Sequence, residues 1–388
     1  MIRKVSIPAI VALVMAAVLS LPQGTATAQT PSWATLAGIP TARAQASVAT
    51  DSSGKIHVIG GYTPTLLASH QVYDPASDTW STAAAIPGAT RAAGIAVGPD
   101  GDIYVFGGYR SGQLSSIYRY DPDTNTWTSG SSMPFPAGWE TAGEFGSDGK
   151  LYVFGGEGAQ TKLQIYDPAG NSWSLGTNLP SGRLQHGAFR GSDGRFYIVG
   201  GRYGADTNLI YDPSTNLWST GPSLPTGASS FGQATTPARD SFYVIGGSNT
   251  YGNLQSPYFN TVFVFDVALQ SWTTFTPSLP TARRELSAAY SATDGSIHVL
   301  GGSNPGILST HEALAVAALA TNEVPVVNAG ADAIIDEGDT FSQSGSFTDP
   351  DADTWSATVD YKEGAGAQTL APAGKSFALS NLYEQNGV

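Results

Sequence analysis

Residues 103–127, IYVFGGYRSGQLSSIYRYDPDTNTW, contain the pattern that decides the fold. An apolar, β-prone run ends in two glycines, a Tyr-Asp-Pro triplet follows, and a tryptophan stands seven residues after the tyrosine. The glycine pairs recur at Gly60-Gly61, Gly107-Gly108, Gly155-Gly156, Gly200-Gly201, Gly246-Gly247 and Gly301-Gly302. Successive pairs lie 45–48 residues apart, and the last two lie 55 apart. A period of this size predicts repeated units that stack on their neighbours.

The repeated pattern resembles the kelch repeat over roughly residues 31–318. The resemblance implies an all-β fold in which each repeat is a four-stranded blade of a propeller, with strand a at the axis and strand d outermost. Turns such as Asp100-Gly101 are expected between strands a and b, since a tight hairpin needs a positive φ. We expect the glycine pairs where backbones approach closely, and the repeated Tyr and Trp between blades.

The blade count depends on the two ends of the repeat region. Six glycine pairs occur, but only five are followed by a tryptophan strand, and the sixth repeat ends at residues 311–317. Trp33 stands seven residues before Pro40, as Trp80 stands seven before Pro87. We therefore predict a six-bladed propeller over residues 29–320 whose N-terminal strand completes blade six and removes a free sheet edge.

Composition narrows the function classes. The net charge is −13 with only 18 Lys plus Arg, which argues against nucleic acid as a partner. The chain has no cysteine, which excludes disulfides, zinc–thiolate sites and thiol nucleophiles. It also excludes the Cys–Tyr cross-link of the copper oxidases that share kelch repeats. The Ser-Asp-Gly turns run into strand b, unlike the turns of sialidases.

Residues 1–28 have the pattern of a secretory signal peptide. Arg3 and Lys4 precede an apolar run from Ile7 to Leu21, and a small-residue cleavage site predicts a mature chain that begins at Gln29. The alternative is an uncleaved anchor, but the run is shorter than the ~20 residues that a membrane span needs. We expect a secreted protein that is extracellular or periplasmic, and attachment to the cell surface is an alternative. It would be monomeric and without a membrane span after cleavage.

Residues 321–388 resemble a PKD-type, immunoglobulin-like β-sandwich. The segments that carry this resemblance are Asn328-Ala329-Gly330, Glu337-Gly338-Asp339, Asp349-Pro350-Asp351 and Tyr383-Glu384-Gln385-Asn386-Gly387. One turn departs from the family, because Lys362-Glu363-Gly364 follows Asp360-Tyr361 where Gly-Asp-Gly is usual. The family continues with two more strands, so we expect this domain to be incomplete.

One acidic segment raises the question of a cofactor. Asp349, Asp351 and Asp353 alternate and could surround Ca²⁺, or they could cap turns in a solvated loop. No other cofactor is expected.

Histidine replaces tyrosine at one repeated position. His57 and His298 stand in strand b where the other four blades have Tyr, and we expect them to be packed core residues. His70 and His311 begin strand c without metal-ligand spacing.

The kelch resemblance implies that binding sites lie where the d–a and b–c loops open around the channel. The d–a loops contribute Arg43, Arg91, Trp139, Glu140, Arg183, His186, Arg283, Arg284 and Glu285, and the b–c loops Tyr62, Tyr109, Arg110, Glu157, Arg202, Tyr203 and Tyr251.

The five arginines of the d–a loops allow two interpretations. Either they form a site for a carboxylate, or they belong to the repeat and brace neighbouring blades. Blade three departs from this pattern with Trp139 and Glu140, which marks it as a functional candidate. The b–c loop of blade five, residues 246–265, is the longest and is either a recognition loop or a tolerated insertion.

Two function classes remain open. The first is a non-catalytic module that binds an extracellular glycan or protein through Arg43, Arg91, Trp139, Glu140, Arg183, Arg283, Tyr109, Tyr203 and Tyr251. The second, suggested by the resemblance to kelch-like sialic-acid mutarotases, is an isomerase of carboxylated sugars. In that enzyme Glu140, Glu285 and His186 would exchange protons at the anomeric centre.

Overall fold

The structure is a computed structural model that describes residues 31–249 and 257–316, together with the backbone of eight strands outside those ranges. The chain divides into two compact units, one formed by Gln29–Ala317 and the other by Met1–Ala28 with Ala318–Val388. The described residues form strands and turns, and none of them lies in a helix.

The first unit is a propeller of six antiparallel four-stranded sheets. In blades one to six, the strands a are Ser47–Thr50, Gly94–Val97, Ala142–Phe145, Gly187–Arg190, Gly232–Thr235 and Ser287–Ser291. The strands b are Ile56–Ile59, Ile103–Phe106, Leu151–Phe154, Phe196–Val199, Ser241–Ile245 and Ser296–Leu300. The strands c are His70–Asp74, Ile117–Asp121, Leu163–Asp167, Asn208–Asp212, Val262–Asp266 and His311–Ala315. The strands d are Thr79–Ala83, Thr126–Ser129, Ser172–Leu175, Leu217–Gly221, Ser271–Phe275 and, for blade six, Trp33–Thr35. A short ribbon pairs Ser303–Asn304 with Gly306–Ile307.

The prediction that the N-terminal strand closes the ring is confirmed. Trp33–Thr35 pairs antiparallel with His311–Ala315, with Trp33 opposite Leu314. The Nε1 of Trp33 donates to the Pro277 carbonyl of blade five at 3.0 Å. The other five repeat tryptophans make the same bond to the preceding blade, namely Trp80 to Ala37, Trp127 to Ala84, Trp173 to Ser131, Trp218 to Thr177 and Trp272 to Pro222. The seam between blades five and six is therefore built like the other interfaces.

The glycine pairs lie where adjacent blades meet. Gly60 and Gly61 have φ values of 63° and 100°, and the N–H of Gly61 donates to the Thr90 carbonyl of the next d–a loop at 2.8 Å. A Cβ on Gly60 would lie 2.6 Å from that carbonyl oxygen. Both the positive φ and the close approach demand glycine, as the sequence predicted.

Burial changes outward along each blade. All residues of the strands b are buried, whereas the strands d alternate between exposed and half-buried residues. The core therefore lies between blades, where the aromatic residues of the Tyr-Asp-Pro and Trp positions pack in pairs such as Tyr120 and Trp127, with ring centroids 5.0 Å apart. The strands a surround the central channel.

The second unit contains only antiparallel strand pairs among its described strands. Thr340–Thr348 pairs with Val326–Asn328 and Ser376–Leu382. The other two sheets are Lys4–Ile7 with Ala333–Asp336, and Val14–Ala16 with Ser356–Val359 and Gln368–Leu370. The signal peptide, the immunoglobulin-like sandwich and its incompleteness remain predictions. Asp349, Asp351 and Asp353 lie outside the described residues, and so does the centre of the long blade-five loop, residues 250–256.

Candidate functional site

The six strands a surround a central cavity of about 340 Å³. At one opening, which we call the near mouth, the d–a loops pair with the b–c loops through bridges such as Arg91 with Tyr109 and Arg284 with Ser303. The a–b turns lie at the opposite ends of the strands a, and we call that opening the far mouth. The predicted loop surface is therefore a real mouth of the channel.

A closed ring of backbone hydrogen bonds surrounds the near mouth. Its members share a left-handed conformation, with φ between 49° and 58°. The N–H to carbonyl bonds run from Gln45 to Glu285, Glu285 to Ser230, Ser230 to Gln185, Gln185 to Trp139, Glu140 to Ala92, and Ala92 to Gln45. Non-glycine residues adopt this conformation at some energetic cost, and such residues cluster at functional sites.

Blade three contributes two residues to the ring, whereas each other blade contributes one. Four residues separate Ala137 from Ala142, whereas three separate the equivalent Thr90 from Gly94. Trp139 and Glu140 therefore share one place, since the Trp139 carbonyl accepts from blade four and the Glu140 N–H donates to blade two. The extra residue explains why the sequence of blade three departs from the repeat.

Three of the five d–a arginines brace the scaffold. Arg43 is 1% exposed, and its side chain donates to the Gly60 carbonyl at 2.9 Å and to Gln71 Oε1. Arg183 is equally buried, and its Nη2 donates to Thr207 Oγ1 at 2.6 Å. Burial lowers the pKa of Arg43 to about 10. These guanidiniums are held by their own blades, so the contacts of Arg43 and Arg183 favour the bracing interpretation, and a role in ligand binding stays a prediction.

Arg283 is the third brace. It is fully buried, donates to the Val299 carbonyl at 3.1 Å, and forms an ion pair with the buried Glu312. Burial lowers its pKa, and Glu312 partly offsets that effect.

Arg91 stands one residue later in the repeat and faces the mouth. Its Cζ lies 4.7 Å from the Tyr62 ring centroid, 5.5 Å from that of Tyr109 and 4.8 Å from that of Trp139. The Tyr109 and Trp139 centroids are 5.2 Å apart. The half-buried guanidinium makes no hydrogen bond to any residue that the structure describes. We call Arg91 with Tyr62, Tyr109 and Trp139 the aromatic–arginine cluster.

Arg284 takes the same repeat position in blade six. It is half-buried, and its Cζ lies 5.5 Å from the Tyr258 ring centroid. Successive residues of an extended chain point to opposite sides, so one step along the loop separates the bracing arginines from those at the mouth.

Two carboxylates lie at the ring. Burial raises the pKa of Glu140 to about 8, the charge of Glu285 adds to this, and Ser230 and Arg284 partly oppose it. The Oε2 of Glu140 is buried and has no hydrogen-bond partner within residues 31–249 and 257–316. Glu285 accepts from Gln45 Nε2 at 3.3 Å and from Ser303 Oγ at 3.1 Å. Glu140 is thus protonated near neutral pH.

His186 lines the channel but is 6% exposed, and burial lowers its pKa to about 3, with the charge of Arg183 adding to the effect. It therefore remains neutral near pH 7 and is a poor proton exchanger there. Tyr203 is 52% exposed and makes none of the ring contacts of the aromatic–arginine cluster. Tyr251 lies outside the described residues.

Some channel residues were missed by the sequence interpretation. Gln45, Gln185 and Ser230 carry no distinctive motif, because their role depends on backbone conformation. Arg239 did leave a signal, since it stands in the blade-five a–b turn where the other blades have glycine. Among the described residues, no group of three or more His, Cys, Asp or Glu could hold a metal ion. Nor does a helix there have the length and apolar character needed to cross a membrane.

Comparisons with known proteins agree with the propeller. A family model described as the KLHDC2/KLHL20/DRC7 Kelch-repeats domain matches residues 82–247, so the chain contains a kelch-repeat domain. A solved structure titled "Structure of YjhT" is 19% identical, with a TM-score of 0.59, and the match covers 71% of this chain and 95% of that one. At this identity the likeness shows the fold alone. No curated protein matches the sequence.

Proposed function

We propose that the propeller is an extracellular binding module that recognises a carboxylate-bearing glycan at the near mouth. The observation that carries this proposal is Arg91, whose guanidinium is framed by Tyr62, Tyr109 and Trp139 and makes no hydrogen bond to a described residue. A guanidinium offers five N–H donors in a planar fork that matches a carboxylate. The guanidiniums that brace the scaffold donate to groups of their own blades, whereas the N–H donors of Arg91 remain available to a ligand.

The surrounding rings support a sugar as the ligand. Aromatic rings at a binding site supply rigid contact area, and Tyr and Trp add a polar group at the edge. Export, which the N-terminal sequence predicts, would bring the propeller into contact with extracellular glycans. The same cluster could meet a carboxylate on a protein surface, and a binding screen distinguishes the two.

The test is a glycan array with neutral and acidic glycans, followed by titration of each hit. We expect an acidic hit whose affinity falls at least tenfold in Arg91→Met and in Trp139→Ala. Arg195→Gln is the control, because Arg195 pairs with Asp193 in an a–b turn at the far mouth. An array without acidic hits, or a hit unchanged in Arg91→Met, would contradict the proposal.

A second candidate function is favoured by the two carboxylates at the ring. Glu140 has a pKa of about 8, while its neighbour Glu285 accepts two hydrogen bonds. Two carboxyl groups in different environments are the arrangement that acid–base chemistry uses. In a mutarotase, protonated Glu140 would donate a proton to the ring oxygen as the sugar opens. Glu285 would accept the proton of the anomeric hydroxyl, and closure on the other face would reverse both transfers.

Anomer exchange of sialic acid, followed by NMR, tests this candidate separately. We expect faster exchange than in buffer, abolished by both Glu140→Gln and Glu285→Gln while acidic-glycan binding persists. Exchange at the buffer rate rejects the enzyme and leaves the binding module intact.

A further inference from the structure

The far mouth carries an arginine where the repeat has glycine. Five a–b turns contain a glycine with φ between 66° and 85°, for example Gly101 and Gly194. In blade five the corresponding residue is Arg239, with φ 58°. A left-handed conformation costs an L-residue roughly 1–2 kcal/mol, which glycine avoids. The conformation of the turn therefore does not explain the arginine, and the explanation must lie in the contacts of its side chain.

The side chain of Arg239 reaches two other blades. Its Nη2 lies 3.4 Å from Oε1 of Glu144 in blade three, and its Nη1 lies 3.5 Å from the carbonyl oxygen of Arg190 in blade four. Arg239 and Glu144 line the central cavity, with side chains 28% and 18% exposed. The guanidinium is therefore held at the channel and accessible from it.

Arg190 adds a second guanidinium. Its Nε is buried, and its side chain donates no hydrogen bond to any residue in the described part of the propeller. Burial lowers its pKa, Arg239 lowers it further, and Glu144 opposes both, so the three charges lie within electrostatic reach of one another. The neighbouring carboxylates are engaged elsewhere, because Asp240 accepts from Thr236 Oγ1 at 2.8 Å and Asp193 pairs with Arg195.

The donors of this cluster exceed its acceptors. Two guanidiniums carry ten N–H groups, and the cluster supplies two contacts at 3.4 and 3.5 Å, the long limit for a hydrogen bond. One carboxylate, Glu144, interacts with both cations, at a partly buried place where water screens charges less than in bulk. A small oxyanion between the two guanidiniums would supply both the missing acceptors and the missing negative charge.

We propose that Arg239 and Arg190, beside Glu144, form a second binding site at the far mouth for a small oxyanion, a carboxylate or a phosphate. This site is independent of the glycan proposal, since it uses other residues at the other end of the channel. It explains why an arginine occupies a glycine position and why its nearest acceptors are distant. An anion bound by both guanidiniums would also bridge blades four and five.

Thermal unfolding in millimolar phosphate or malonate, at constant ionic strength, tests the site on the whole chain. In the wild type, we expect the anion to raise the midpoint of thermal unfolding and calorimetric titration to detect binding. In Arg239→Gly and in Arg190→Gln, the affinity for the anion should fall at least tenfold. Arg239→Gly should fold, because it restores the residue that the other turns contain. If Arg239→Gly does not fold, the anion affinity of Arg190→Gln still tests the proposed site.

Two variants serve as controls. Lys150→Gln removes a cation of the blade-three a–b turn that pairs with Asp167, and Arg202→Gln removes an exposed arginine of a b–c loop that belongs to neither proposed site, so both should keep the anion response. Response to phosphate alone or to malonate alone identifies the ligand chemistry. No anion response in the wild type, or an Arg239→Gly affinity within threefold of it, overturns the proposal.

Discussion

The Nδ1 atom of His57 lies 2.8 Å from the Nε2 atom of His70, in a buried chain that begins at a carboxylate and ends at a carbonyl. His57 Nε2 is 2.9 Å from Asp51 Oδ2, and His70 Nδ1 is 3.2 Å from the Ala84 oxygen. Both ends accept, so three hydrogen bonds need three protons, whereas two neutral imidazoles carry only two N–H groups. The hydrogen bond between the two rings therefore depends on which ring nitrogens carry the protons. Burial opposes a lower pKa of Asp51, but hydrogen bonds from His57 and Ser53 outweigh that effect, and the pKa is lowered.

Blade six repeats this chain from Asp294 through His298 and His311 to the Ala37 carbonyl, with successive distances of 3.0, 2.9 and 3.0 Å. Blade two instead uses Tyr104, whose hydroxyl donates to Asp100 at 2.9 Å. The two histidine chains thus lie in adjacent blades, six and one, and His311 belongs to the strand that pairs with the N-terminal strand.

Stability should fall as the pH drops below about 6.5. Burial lowers the pKa of His70 to about 3 and that of His311 to about 4, with the charges of His57 and His298 adding to the effect. An unfolded chain takes up these protons near pH 6.5, whereas the folded chain does not. The stability is therefore complete above that pH and is lost as the pH falls, by about 1.4 kcal/mol per pH unit for each histidine.

The double variant His298→Tyr/His311→Leu tests this dependence, because it gives blade six the residues of blade three, Tyr152 and Leu163. Denaturant unfolding at pH 6.5, 5.5 and 4.5 should show a shallower loss of stability than in the wild type. An unchanged slope would show that His311 is not the buried neutral group described here.

Glu140 should act in the opposite direction. Its pKa is raised to about 8, so the folded chain retains a proton that the unfolded chain releases near pH 4.5. Stability from this group is complete below about pH 4.5 and is lost as the pH rises through 8. Glu140→Gln should therefore gain stability relative to wild type between pH 5 and 8, by about 1.4 kcal/mol per pH unit at most. Glu157→Gln, in a loop of the same mouth, is the control, and an equal gain in it would refute the assignment.

The two kinds of d–a arginine should differ in stability measurements. Arg283→Met leaves Glu312 buried without its cationic partner, with only the hydrogen bond from Thr281, and should cost about 3–5 kcal/mol. Arg91→Met removes only contacts with aromatic rings and should cost about 0.5–2 kcal/mol. Urea unfolding of both variants gives the comparison, and equal costs would mean that Arg91 is also a scaffold residue.

The seam should be as strong as an internal blade interface. Trp33→Phe and Trp127→Phe each remove one indole hydrogen bond to the preceding blade and keep an aromatic ring. Each should lower the free energy of unfolding by about 1 kcal/mol. A negligible effect at Trp33 with a clear one at Trp127 would show that the N-terminal strand does not close the ring in solution.

The near mouth shows how far the sequence interpretation reached. Trp139 and Glu140 were found because they interrupt a repeat, and both lie at the ring. The arginines could not be sorted from sequence, because Arg283 and Arg284 are adjacent and only the direction of each side chain separates a buried brace from a residue at the mouth. His57 and His298 are packed, as predicted, but their proton chains require knowledge of what each ring nitrogen faces.

The sequence by itself determined the propeller and its six blades, including closure by Trp33, because periodic glycine pairs and tryptophans report local backbone geometry and blade packing. Only the tertiary structure decided which polar residues act together. Gln45, Glu140 and Glu285 come from different blades, as do Glu144, Arg190 and Arg239, and contacts between blades set the pKa of Glu140 and leave the Arg190 side chain without an acceptor among the described residues. Residues that recur in every blade maintain the fold of the blade, whereas the candidate sites consist of residues that differ between blades and are brought together from several of them.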